Sequence, residues 1–185
     1  LKVLPGVSQS LIEQGAVLAN RMSINLECPT SKNLSLICPE KDFKYDLISP
    51  MLTMKKIIDN DKSKIPAGQT TQIIIGSTGE TDKDIITTSN WLYHSIKLRR
   101  VYYSAFIPVN NDSNLPFKTP VPLKRENRLY QTDWLLRRYG FSLDELPFDE
   151  QGNLRDDLDP KMVWALNNLD KFPVEINKLS YYSLL

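Results

Sequence analysis

Three short stretches of this chain alternate apolar and polar residues with a period of two, and a fourth runs from polar residues into three isoleucines. Between them lie longer stretches whose apolar residues recur three and four apart. The first set reads as strands: Leu1–Leu4, stopped by Pro5-Gly6, then Arg21–Glu27, Gln69–Gly76 and Arg99–Val109. The second set reads as helices. Ser8–Ala19 carries Ser8 in position to cap it and Leu11, Ile12, Ala16 and Ala19 on one face. Pro29–Asn60 holds one short helix, a turn near Cys38-Pro39, and a longer helix around Ile48–Ile58. Thr81–Leu98 repeats Ile85, Ser89, Leu92 and Ile96 at helical spacing, with Thr81, Asp82 and Asp84 capping its start. Strands alternating with helices predict an α/β fold built on a parallel sheet or barrel.

Beyond Val109 the pattern changes. Residues 110–124 read as a linker, polar at first and then broken by prolines. Arg125–Tyr139 is the next helix, with Gly140 placed to cap its end. Lys124–Arg138 holds five Lys/Arg against two Asp/Glu, whereas residues 142–161 hold seven acids against two bases. Asp159-Pro160 starts a further helix, because proline suits a first helical position, and Val174–Leu185 begins another.

The strands share an unusual trait. Met22, Ile24 and Leu26 oppose Ser23, Asn25 and Glu27, Val101 and Tyr103 oppose Arg100 and Tyr102, and Thr70 and Gln72 share a face. Parallel strands are normally covered on both sides and read as nearly continuous apolar runs. Two readings stay open: a solvated face, or the polar lumen of a barrel that holds a polar ligand. Glu27 and Arg100 would be costly inside without partners.

Composition narrows the classes. The chain has 185 residues, enough for one domain or a domain plus a tail, and 41% hydrophobic residues, too many for disorder. A formal charge of +1 makes no global electrostatic case for nucleic acid. Two cysteines and one histidine cannot supply a cluster or zinc site alone. No apolar run reaches bilayer length and no signal peptide is visible, so no membrane partner and a cytoplasmic location are expected. Starting at Leu1 without methionine and ending at Leu185, the chain reads as a fragment.

Candidate chemistry sits where strands end. Gly76-Ser77-Thr78-Gly79-Glu80 links an isoleucine run to an acidic helix start. It is neither a phosphate loop of the Gly-Lys-Ser/Thr type nor a dinucleotide fingerprint, and a tight turn is the plain alternative. Tyr102 and Arg100, together on the polar face, are either ordinary strand residues or the groups that meet substrate. Cys28 reads as an inert buried thiol before a hydrogen donor, and His94 as a surface histidine.

Five blocks in order resemble one family. They are Leu-Lys-Val-Leu-Pro-Gly (1–6), Ser-Ile-Asn-Leu-Glu (23–27), Ala-Gly-Gln-Thr-Thr-Gln-Ile-Ile-Ile-Gly (67–76), Arg-Arg-Val-Tyr-Tyr-Ser-Ala-Phe (99–106) and Arg-Leu-Tyr-Gln-Thr-Asp-Trp-Leu-Leu-Arg-Arg-Tyr-Gly-Phe (128–141). Together they are similar to the DNA modification/repair subgroup of radical S-adenosylmethionine (radical SAM) proteins.

The resemblance implies a partial parallel (β/α) barrel of the radical SAM type followed by an α-helical extension. Residues 1–109 would be the second half of the barrel, 110–124 a linker and 125–172 the extension. Residues 173–185 would start a truncated helix-hairpin-helix segment. It also implies that Asn25 and Glu27 bind the ribose hydroxyls or amino group of S-adenosylmethionine, and that Ile74 and Gly76 lie against its adenine. Arg100 and Tyr102 would act near the substrate.

The [4Fe–4S] cluster of such an enzyme would take its ligands from outside this chain, and an electron donor would reduce it. DNA or another nucleic acid is the implied partner, and an open sheet edge would favour a dimer. The rival expectation is a non-catalytic nucleic-acid interaction module with Lys124–Arg138 as its basic helix.

Overall fold

The computed structural model describes residues 1–109, 115–117, 119–173 and 176–178. The α/β expectation holds. Three strands, β1 (Met22–Ser23), β2 (Gln69–Ile75) and β3 (Arg100–Ala105), form one parallel sheet in the order β1-β2-β3. Lys2 adds a single parallel bridge to Ser23 on the outer side of β1. Spatial order therefore follows chain order, each strand lying beside the one before it.

The helices between the strands all pack on one face. They are α1 (Gln9–Leu18), α2 (Ser31–Ile37), α3 (Ser49–Asn60) and α4 (Asp82–Trp91). That face presents Met22, Gln69, Thr71, Ile73, Ile75, Val101 and Tyr103, every one buried. Ile12 and Ala16 of α1, Met51 and Met54 of α3, and Ile85 and Ile86 of α4 fill the space opposite. Burying each such side chain stabilises the fold by about 1.5–3 kcal/mol.

Local chemistry starts each helix. Ser8 accepts from the Leu11 amide, Thr30 from Asn33, and Thr81 and Asp84 form a reciprocal capping box at the start of α4.

Several boundaries differ from expectation, each for a physical reason. Leu1–Leu4 makes only the Lys2 bridge. Arg21–Glu27 is a ladder for two residues only. After Ser23 the Thr71 hydroxyl steps between the strands, donating to the Ile24 carbonyl (2.7 Å) and accepting from the Leu26 amide (2.9 Å). The Leu26 and Glu27 amides then both reach the Gln72 carbonyl, which inserts a bulge.

The helix expected over Thr81–Leu98 turns π-helical at Leu92–Ile96 and stops at Lys97, which is left-handed (φ 62°). Arg99–Val109 shortens to Arg100–Ala105 because β2 ends and turns at Gly76. The longer helix around Ile48–Ile58 is Ser49–Asn60, preceded by a π-helical turn over Phe43–Ile48. Leu11, expected on the buried face of α1, is 56% exposed; Ile12 and Ala16 form a narrower contact.

The remaining helices are α5 (Leu123–Tyr139), ended at Gly140 (φ 73°), and α6 (Pro160–Leu166), capped by Asp159. Leu129, Leu135, Leu146 and Leu154 join the same buried cluster as the sheet. The end of the expected linker also docks, Val121 donating to the Phe106 carbonyl at 2.9 Å. Of the expected helix-hairpin-helix start, residues 174–175 and 179–185 lie outside the described residues; Ile176–Lys178 is a single 3-10 turn.

α5, together with Tyr93 of the π-helical turn after α4, also closes the free edge of β3. The amides of Val101, Tyr103 and Ala105 donate to Tyr93 Oη (3.0 Å), Tyr130 Oη (3.0 Å) and Glu126 Oε2 (2.8 Å), and Tyr130 Oη donates back to the Tyr103 carbonyl (3.0 Å). Side chains thus satisfy groups that a further strand would otherwise take.

Candidate functional site

Among the described residues no connecting helix covers the other face of the sheet, although Thr70 at its centre is buried. The strand register sets Lys2, Ser23, Thr70 and Arg100 in one row across it. Gln72 and Tyr102 form the next row, and Ile74 and Ser104 the one after. Asn25, two residues beyond Ser23, is half-buried between buried Ile24 and Leu26. Neighbouring strands lie about 4.8 Å apart, so Ser23 to Arg100 spans about 10 Å. Apart from Ile74 the face carries hydroxyl, amide and cationic groups.

Arg100 is the charged centre of this face. Its guanidinium carbon stands 5.1 Å from the Tyr102 ring centroid and 5.5 Å from that of Tyr130. It makes no ion pair with a described residue, and its buried Nε has no acceptor. The two residues named together in the sequence, Arg100 and Tyr102, are therefore in contact.

Glu27 lies four residues beyond β1, in an isolated parallel bridge to Ile73, half-buried and in the left-handed region at φ 65°. The Cys28 amide closes a three-residue turn on the Leu26 carbonyl at 2.8 Å. Left-handed backbone costs a residue with a Cβ roughly 1–2 kcal/mol, and such strain concentrates at functional positions.

Gly76 is also left-handed (φ 78°), but its surroundings differ from expectation. A methyl group there would collide with Val121 Cγ2, so the chain itself fills the space expected for a ligand. The Gly76 amide donates to Glu80 Oε1, and Thr78 donates to Glu80 Oε2 through its amide (3.1 Å) and its hydroxyl (2.7 Å). Arg125 secures the loop by donating to Asp82 Oδ1 (2.7 Å) and the Glu80 carbonyl (2.8 Å). The Leu154 amide donates to Asp82 Oδ2 at 2.9 Å. Glu80 and Asp82 are buried, and their work here is to fold the loop. A cleft of about 330 Å³ opens beside it, between Thr30, Asn33 and Leu36 on one side and Thr78, Gly79 and Asp84 on the other.

The cysteines do not suit a cluster. Cys28 is buried, and burial first, then the nearby Glu80 carboxylate, pushes its thiol up to about 12. Cys38 is half-buried, accepting from Lys41 at 3.6 Å, and both thiols are free. Among the described residues no group of three or more His, Cys, Asp and Glu could hold a metal ion. His94 is exposed, as expected, with Nδ1 2.9 Å from the Asn90 carbonyl.

One polar cluster escaped the sequence reading. Asp133, fully buried in α5, accepts from Tyr93 Oη (2.5 Å), Tyr103 Oη (3.3 Å) and Arg137 (2.7 Å), and Tyr103 Oη also donates to Ser89 (2.9 Å). Burial and the Asp133 charge raise both phenols well above the usual tyrosine range. The i, i+4 spacing of Asp133 and Arg137 was the available signal.

The basic helix is also largely spent. Of the five cations in Lys124–Arg138, Arg125, Arg128 and Arg137 bind acceptors within the chain. No helix among the described residues is long and apolar enough to cross a membrane. No family model, curated protein or solved structure matches this chain.

Proposed function

We infer that this chain supplies consecutive strands of a radical SAM enzyme's partial (β/α) barrel, with its polar face turned toward S-adenosylmethionine. The observation that carries this reading is a parallel sheet in chain order whose connecting helices take one face and leave the other lined with polar groups. A barrel wall around a polar ligand needs that arrangement. The fit to the cofactor is chemical: amide and carboxylate groups at Asn25 and Glu27 for a diol or an ammonium, and half-buried Ile74 for an apolar ring.

When bound, S-adenosylmethionine would supply the 5′-deoxyadenosyl radical for hydrogen abstraction. The residues of this chain bind and orient. Gly76 contributes the turn, since Val121 occupies its open side. Cys28 and Cys38 do not suit a [4Fe–4S] cluster, so its ligands would come from outside this chain, and a partner electron donor would reduce it. DNA modification or repair as the setting rests on the family resemblance.

A titration with S-adenosylhomocysteine, followed by amide chemical shifts, tests the reading. Saturable shifts centred on Asn25, Ile74 and Tyr102, weakened roughly tenfold by Asn25→Ala, are expected, a loss of about 1.4 kcal/mol. No saturation, or shifts gathered in the cleft between Thr30 and Asp84, would sink it. A non-catalytic nucleic-acid module on Lys124–Arg138 has less support, because three of its cations are already engaged.

A further inference from the structure

We propose that Arg100, clamped between Tyr102 and Tyr130, receives the phosphate of a nucleotide substrate on the open face of the sheet. This deepens the function proposed above and rests on it for the placement of the ligand.

Three observations carry it. First, Arg100 is a half-buried cation with no carboxylate partner among the described residues, and its buried Nε lacks an acceptor. An unmatched donor in such a place leaves a desolvation cost that an incoming oxyanion would remove. By contrast Arg125 and Arg137 each donate to a buried carboxylate, and Arg128, whose Nε is likewise unpaired, donates through its terminal nitrogens to Gln131 and the Asp156 carbonyl.

Second, the clamp is built in advance. Tyr130 cannot swing away, because its hydroxyl bonds both the amide and the carbonyl of Tyr103, each at 3.0 Å. Its ring also meets the Tyr103 ring edge-on at 5.1 Å. Tyr102 approaches from two residues along the same strand face. Two rings beside the guanidinium limit its rotation, and a guanidinium fixed in place suits a phosphate fork.

Third, the surroundings select for a nucleotide. The Tyr102 ring is 36% exposed, a stacking surface next to the cation. The rows around it, Thr70, Gln72 and Ser104, are neutral hydrogen-bonding groups, so nothing on those rows repels an anion.

The experiment compares 2′-deoxyadenosine 5′-monophosphate with 2′-deoxyadenosine on the unaltered 185-residue chain, by calorimetry or amide shifts. The monophosphate should bind at least about tenfold more tightly, with the advantage shrinking as salt rises. Arg100→Gln should erase that advantage, and Arg100→Lys should keep part of it, a charge without the fork. Equal affinity for the two probes on the unaltered chain overturns the proposal, whatever the variants do. It is equally overturned if Arg100→Gln weakens S-adenosylhomocysteine but spares the monophosphate, since Arg100 would then hold the cofactor. If S-adenosylhomocysteine fails to bind while the monophosphate advantage depends on Arg100, the radical SAM reading falls and the phosphate receptor stands.

Discussion

Successive residues of β3 enter two polar regions built from the same side-chain types. Tyr103 points into a sealed cluster with Asp133, Tyr93, Ser89 and Arg137, where each tyrosine hydroxyl and the buried carboxylate find partners. Arg100 and Tyr102 point to the other face, where the cation has two rings beside it and no counter-ion among the described residues. Tyrosine and arginine are found in both, so residue type does not tell them apart. What differs is saturation. A closed polar network contributes rigidity and specificity, whereas an open one keeps its donors for something that arrives later.

Substitutions break or sharpen this contrast. The largest effect belongs to the sealed side. Asp133→Ala strands two buried hydroxyls and Arg137, and should cost about 3–5 kcal/mol in urea unfolding. Gly76→Ala should follow, losing about 2 kcal/mol because a Cβ is strained at φ 78° and meets Val121.

On the open side the sign can reverse. Glu27→Gly relieves left-handed strain of about 1–2 kcal/mol and gives up about 0.5–1 kcal/mol to a more flexible unfolded chain. The net gain, about 0.5 kcal/mol in thermal unfolding, should come with weaker binding of S-adenosylhomocysteine. Arg100→Gln should shift stability least, within about 0.5 kcal/mol, since no described residue forms an ion pair with it. A severe Arg100→Gln and a mild Asp133→Ala would invert the comparison.

The Cys28 thiol offers a pH check. Its folded pKa, about 12, lies above its ordinary value of 9.0. The folded state therefore holds its proton more tightly, and the thiol's contribution is fully present below pH 9. Stability should fall as pH rises from about 9 toward 12, because the unfolded chain releases the proton first. At neutral pH a thiol reagent should label Cys38 quickly and Cys28 only on unfolding.

Much of this was legible along the chain. Sequence pattern identified all three strands, and alternation set Ser23 on the polar face of one and Arg100 and Tyr102 on that of another, because side-chain direction in a strand is local. The Thr81–Asp84 box and the Gly140 and Asp159 caps were equally local. Tertiary partners were not. The early end of β1 comes from the hydroxyl of Thr71, remote in sequence. Glutamate is an unusual occupant of a left-handed position, so nothing local marks Glu27. Gly76 could be read as room for a ligand, but the occupant of the space beside a missing Cβ is set by the fold, and here it is Val121. The Asp133 cluster unites α4's extension, β3 and α5, which no single window of sequence displays.

The side chains that seal β3 give the sheet a direction of growth. Two phenol hydroxyls and one carboxylate stand where a fourth ladder would begin, so an incoming strand on that flank would first have to displace them. At the flank of Lys2 no described side chain takes the place of a strand in this way. A complementary β segment, whether from a second polypeptide or a synthetic peptide, should add only there, and the wall would lengthen from one end like a zipper with a single open terminus.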